Sequence, residues 1–294
     1  MQPNIIARIM PGMSLENPLA YCREKIAGPT SGLHYATLFQ PEPQKAFWLG
    51  CFALNHELRQ ASMRQLEAGL TQVKLGWWRN ALSQAQSNSN PHPVIQAMSA
   101  ATVAGLGPDD WAMLIETTVQ GCEVARFDTF AQWHAHTQAL LQPWVQLLGV
   151  RMHQQGLLRN NTEQLLAFWA SSGQLAQLLS LAKYLDEQFQ PIPVTMLSQF
   201  GVQASQIKRR EHDANTAALF EDVVSQIQNA AQKAWTAMPK EQRLFCRPLR
   251  ALYRMRLAEW RVHKADGKRL LSEQKALTPW KKFSTAWTTH VLQW

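Results

Sequence analysis

The stretch that decides the fold runs from Phe47 to Leu82, FWLGCFALNHELRQASMRQLEAGLTQVKLGWWRNAL. Apolar residues recur at Phe47, Cys51, Leu54, Leu58 and Ala61, in steps of four, three, four and three. That spacing lines one face of an α-helix. Glu57 falls within the stripe, one turn from Ala53 and Ala61. A carboxylate on an otherwise apolar face must be paired, bind something or lose its charge. The pattern predicts helices over 47–68 and 70–84, joined at Gly69, with Trp77-Trp78-Arg79 in the second.

Helical spacing continues outward in both directions, and β-type alternation is hard to find. Short helices are expected over 21–26 and 33–39, the second ending before Pro41 and Pro43. After a polar turn over 85–93, a helix over 94–104 ends at Gly105 to Pro108. Asp109 and Asp110 cap the next, which runs to Gly121. Thr129 opens a helix through Leu148 with Pro143 as a kink. An uncharged helix runs from Asn161-Thr162-Glu163 to about Glu187, then a short one over 194–200, stopped by Gly201. Helices over 210–237, 242–264 (interrupted at Pro248) and 280–292 complete the chain. The expectation is a single all-α domain over 1–294, a bundle of about ten helices.

Composition narrows the classes. The chain has 294 residues, 46% apolar and 17% charged, enough for a sizeable core. Four cysteines, at 22, 51, 122 and 246, show no CxxC spacing, which argues against zinc and against a disulfide framework. A reducing, cytoplasmic setting is therefore expected. The first residues lack the apolar core of a signal peptide. The uncharged run Leu165 to Ala182 carries three serines and two glutamines, so it suits a buried helix better than a membrane span. Net charge is +8, and no nucleic-acid-binding motif accompanies it. The last third holds Arg247, Arg250, Arg254, Arg256, Arg261, Lys264, Lys281 and Lys282 interleaved with Trp235, Trp260, Trp280 and Trp287. Such a mixture suits either a solvated face over core tryptophans or peripheral contact with an inner membrane. His34, His56 and His92 lie on separate elements without HxxxH spacing, and no GxSxG, GxxxxGK[ST] or GxGxxG is present.

A second stripe lies on the uncharged helix: Gly173, Ala176, Gln177, Ser180, Tyr184 and Glu187. Its small residues either admit a neighbouring helix or line a cavity, and Gln177, Tyr184 and Glu187 need partners if buried.

The order of these pieces resembles the squalene/phytoene synthases, the head-to-head prenyl synthases, over roughly residues 20 to 265. The resemblance rests on Ser31-Gly32-Leu33-His34-Tyr35, Phe52-Ala53-Leu54-Asn55-His56-Glu57, Trp77-Trp78-Arg79, His92-Pro93-Val94, Gly173 with Gln177-Leu178, and Ile192-Pro193 leading to Phe200-Gly201-Val202. It implies the isoprenoid synthase fold. In active members two aspartate-rich segments on facing helices hold Mg²⁺ ions that neutralise a departing diphosphate. Here the first segment aligns with Glu57-Leu58-Arg59-Gln60-Ala61 and the second with Tyr184-Leu185-Asp186-Glu187-Gln188. Leu54 stands where the family places an arginine.

Asn55-x-Glu57 and the Trp77-Trp78-Arg79 segment resemble the non-catalytic branch, which includes the mitochondrial assembly factor for respiratory complex I. The resemblance implies a protein without catalytic residues or metal, which binds an isoprenoid or lipid-like ligand or a protein client in assembling or maintaining a respiratory or membrane complex. Candidate cavity residues are Tyr35, Asn55, Glu57, Trp78, Arg79, Gln177, Tyr184 and Glu187. The alternative is a Mg²⁺-dependent farnesyl or geranylgeranyl diphosphate transferase with a degenerate site, in which Arg59, Arg79 and Lys183 hold phosphate. A helical scaffold with a filled interior is a third expectation.

Overall fold

The computed structural model describes residues 17–26, 31–62, 68–85, 92–121, 126–157, 162–186, 191–264, 268–272 and 276–292. Every regular element among them is helical. The first half contributes α1 (Pro18–Lys25), α2 (Gly32–Thr37), α3 (Glu42–Ala61), α4 (Ala68–Ser83), α5 (Pro93–Met98), α6 (Ala100–Val103), α7 (Pro108–Gln120) and α8 (Phe130–Gln154). The second half contributes α9 (Thr162–Leu179), α10 (Leu181–Asp186), α11 (Val194–Gln199), α12 (Ala204–Lys208) and α13 (Ala214–Ala237). It ends with α14 (Lys240–Phe245), α15 (Arg247–Lys264), α16 (Lys268–Ser272) and α17 (Pro279–Val291).

Two hubs organise the bundle. The α9 helix packs against α8, α13 and α15, whereas α3 packs against α5, α1 and α7. Phe47, Cys51, Leu54, Leu58 and Ala61 are all buried, as the stripe requires, and so is Glu57. The core joins both hubs through large rings, with Trp48, Trp111, Trp133, Phe168 and Phe220 almost fully enclosed. Cys22, Cys51 and Cys246 are buried with no disulfide among the described residues. The uncharged helix is interior, with Leu165, Phe168, Leu175 and Leu178 buried. Among the described residues no helix is long and apolar enough to cross a membrane.

Several boundaries depart from the sequence expectation for identifiable reasons. The α3 helix starts at Glu42, because Pro41 serves as its N-cap residue and Pro43 sits in the first turn. A proline there gives up only an N–H that has no helical partner. The same helix ends at Ala61 rather than Ala68, where the Ser62 hydroxyl donates to the Leu58 carbonyl at 2.7 Å. The α7 helix starts at Pro108, and its N-cap residue is Gly107 rather than an aspartate. Asp110 instead accepts the Gly107 N–H at 2.9 Å from the first turn. Pro143 sits inside α8, which continues to Gln154.

The uncharged helix divides at Ser180, whose N–H is shared between Ala176 and Gln177 at 3.0 and 3.2 Å. Helix cannot begin at Arg210, which adopts φ 60°, so α13 begins after Asp213. Asp213 accepts the Thr216 N–H and hydroxyl, each at 2.8 Å. The break expected at Pro248 falls at Cys246, and Pro248 sits in the first turn of α15. The basic last third divides its tryptophans, with Trp235 and Trp260 buried and Trp280 and Trp287 exposed on α17.

Candidate functional site

Glu57 lies near the end of α3, where α1 and α5 meet it. Its carboxylate does not face an open space. Tyr21 donates its hydroxyl to Glu57 Oε1 at 2.9 Å, and Lys25 places Nζ 3.1 Å from the same oxygen. Tyr21 and Lys25 are four residues apart on α1 and therefore share one face. The Asn17 side chain starts that helix by accepting the N–H groups of Leu19 and Ala20 at 3.1 Å. The Lys25 ammonium also sits 5.1 Å from the centroid of the Tyr21 ring, a cation–π distance.

A ring cluster surrounds this ion pair. The His92 imidazole meets Tyr21 edge-on at 5.1 Å, Trp77 at 5.5 Å and Trp78 at 4.8 Å between centroids. His92 Nδ1 accepts the Val94 N–H at 3.3 Å, which makes His92 the cap of α5. Its Nε2 is buried without a hydrogen-bond partner among the described residues. Burial lowers the His92 pKa to about 4, against the smaller upward pull of Glu57. Burial, reinforced by Glu57, raises the Tyr21 hydroxyl far above its ordinary value and the Cys22 thiol to about 12.

Lys25→Ala is expected to cost about 2 kcal/mol, less than a fully buried ion pair because Lys25 is 33% exposed. Glu57→Gln retains an acceptor for Tyr21 and is expected to cost about 1 kcal/mol. Urea unfolding of both variants checks this, and an unchanged midpoint for Lys25→Ala would contradict the pairing.

The structure brings some candidate residues together and separates others. Trp78 joins the Glu57 corner through His92. Tyr35 lies on α2 with its ring edge-on to His34 at 5.2 Å, outside that cluster. Asn55 is half-buried, and Arg79, Arg59 and Lys183 are exposed. Gln177 accepts the Trp133 indole N–H at 2.8 Å, which ties α9 to α8. Tyr184 belongs to α10, but its side chain is not among those described, and Glu187 lies outside the described residues.

Tyr21, Lys25 and Trp133 were missed by the sequence reasoning. The only signal for the first two was their spacing of four on a short helix. Beside Gln177, the His134 Nδ1 lies 2.8 Å from Gln174 Oε1.

The small-residue stripe meets two different neighbours, α8 at Gly173 and α15 at Ala176 and Ser180. A Cβ on Gly173 would lie 3.3 Å from Thr137 Cγ2, so this residue marks close approach of α9 to α8. Ala176 and Ser180 instead line a cavity of about 250 Å³ with Leu179, Arg256, Glu259 and His263. Arg256 donates to the Ser172 carbonyl at 2.8 Å and to its hydroxyl at 2.7 Å. Burial raises the Glu259 carboxyl pKa, while a Leu277 backbone hydrogen bond lowers it.

Several Mg²⁺ ions need converging carboxylates. Among the described residues no group of three or more His, Cys, Asp or Glu side chains is placed to hold a metal. Glu57, the carboxylate at the first segment, is already taken by Lys25 and Tyr21. Of the second segment, the Asp186 side chain and Glu187 lie outside those described.

The squalene/phytoene synthase family model matches residues 28–281. The solved squalene synthase HpnC from Alicyclobacillus acidocaldarius is similar at 16% identity, over 88% of this chain and 96% of its own, with a TM-score of 0.63. A dehydrosqualene synthase solved with a ligand is similar at 11% identity, over 92% of this chain and 95% of its own, with a TM-score of 0.72. No curated protein matches the chain. The two structures share the isoprenoid synthase fold seen here, and the family match spans most of the sequence: the chain belongs to the squalene/phytoene synthase family.

Proposed function

We propose that this chain is a non-catalytic member of its family, which binds an isoprenoid or lipid-like ligand or a protein client and serves the assembly or maintenance of a respiratory or membrane-associated complex. The observation that carries the proposal is the commitment of Glu57 to Lys25 and Tyr21. A carboxylate neutralised by a protein ammonium is a poor ligand for a dication, and a diphosphate arriving at that corner meets α1 instead of metal. The likeness of Asn55-x-Glu57 and Trp77-Trp78-Arg79 to the assembly-factor branch supports the same direction. Incubation with farnesyl or geranylgeranyl diphosphate and Mg²⁺ is expected to give no condensation product. Product that disappears in Glu57→Gln would overturn the proposal.

The second reading, a transferase with a degenerate site, is favoured by the 250 Å³ cavity that sets Arg256 and Glu259 beside Ala176 and Ser180. The same incubation decides it, since this reading requires product.

Peripheral membrane contact is supported by α17, which exposes Trp280 at 73% and Trp287 at 49%, with Val291 and Leu292 beyond them. Exposed tryptophans on a basic protein suit the interface of an anionic bilayer. Flotation with phosphatidylglycerol vesicles is expected to exceed that with neutral vesicles and to fall severalfold in Trp280→Ser/Trp287→Ser. Equal flotation with both vesicle types would remove this contact.

A further inference from the structure

The end of α3 opposite Glu57 holds a different arrangement. Gln44 and Glu57 are thirteen residues apart on that helix, about 20 Å along its axis. Gln44 lines a cavity of about 630 Å³, the scale of a ligand pocket. Its walls include Leu38, Phe39, Leu157, Leu244 and Phe245, with Arg247 at one side. Leu244 and Arg247 also line a neighbouring pocket of about 90 Å³, which gathers Lys240, Arg243, Arg247 and Arg250. None of these four cations makes an ion pair with an acid among the described residues.

Arg250 is held in an unusual way. Its guanidinium lies 4.9 Å from the Trp235 ring, 5.7 Å from Tyr253 and 5.8 Å from Phe168. Aromatic faces stabilise the cation but leave its N–H groups without acceptors. Arg250 Nε and Nη1 are buried with no hydrogen-bond partner among the described residues, and so is Trp235 Nε1. Trp235 and Arg250 both line the small pocket. The pocket thus gathers positive charge, and no carboxylate lines it. Four cations around one small space call for a counter-charge, and an oxyanion supplies the charge and several acceptors together. A space of about 90 Å³ has room for one phosphate group. The apolar wall beyond Leu244 and Arg247 then receives whatever chain the phosphate carries.

We infer that Lys240, Arg243, Arg247 and Arg250 form a binding site for a phosphate-bearing amphiphile, with the phosphate among the four cations and the apolar chain along Leu38, Phe39, Leu157 and Phe245. This site is remote from the Glu57 corner and stands whether or not the chain has transferase activity. A soluble isoprenoid phosphate and a phospholipid share the required chemistry.

The test is calorimetric titration of the full chain with inorganic phosphate, farnesyl monophosphate and dihexanoyl phosphatidic acid. One of the two amphiphiles is expected to bind at least about tenfold tighter than inorganic phosphate, and its identity assigns the source. Arg243→Ala/Arg247→Ala is expected to weaken that binding by about tenfold or more, whereas Lys281→Ala, on α17, leaves it within about twofold. Arg243→Ala alone provides the same comparison, with a smaller loss, if the double variant does not fold. Equal affinity for all three probes, or amphiphile binding indifferent to Arg243 and Arg247, would overturn the inference.

Discussion

Replacing Gly50 with alanine should cost about 3 kcal/mol, and replacing it with valine should leave little soluble protein. A Cβ at this position would lie 2.5 Å from Met98 Cγ, 3.0 Å from the Met98 nitrogen and 3.1 Å from the Val94 oxygen. The methionine side chain can swing away, but the other two atoms belong to the backbone of α5 and move only if that helix moves. Gly50 is buried mid-helix on α3 with ordinary helical φ, so its role is steric: it lets two backbones approach. Displacing α5 would also shift His92, which caps it and packs on Tyr21. Adding Met98→Ala should therefore recover less than half of the loss from Gly50→Ala. Thermal or urea unfolding of the single and double variants measures this, and full recovery would show that only the side chain was in the way.

The second large effect is a loss of stability in acid that depends on His92. Burial holds its imidazole neutral, with a pKa of about 4 in the folded protein against about 6.5 for an unfolded histidine. The folded value is the lower one, so the unfolded chain takes up the proton first. Stability is complete above about pH 6.5 and falls as pH drops towards 4, by about 3 kcal/mol in total. Protonation would also remove the Nδ1 acceptor from the Val94 N–H. His92→Asn keeps an acceptor at the helix start without titrating in this range. The difference between wild type and this variant should therefore change by about 3 kcal/mol between pH 7 and pH 4. Parallel stability curves would contradict the assignment.

The all-α character was legible because the apolar residues repeat at the helical period, and it needed no knowledge of partners. Helix limits were less legible where proline was involved. Pro41, Pro43 and Pro248 read as breaks, yet each stands at a helix start, where proline loses nothing. The division at Ser180 carries no composition signal at all, since leucines continue on both sides. At the site, Glu57 was recognisable as a carboxylate in need of a partner. Its partners were not, because Tyr21 and Lys25 come from a helix more than thirty positions upstream whose docking is a tertiary event. Trp77-Trp78-Arg79 shows a related limit. Successive residues on a helix point about 100° apart, so Trp78 is buried beside His92 and Arg79 faces solvent.

Both donors from α1 end on a single oxygen, Glu57 Oε1. A helix of eight residues has little tendency to persist alone in water, so α1 holds its shape through what receives it. Losing that acceptor loosens a segment and not just a contact. Cys22 sits on the same helix, enclosed and deprived of thiolate character. The rate at which an alkylating reagent reaches this sulfur is therefore a gauge of how firmly the N-terminal segment is fastened.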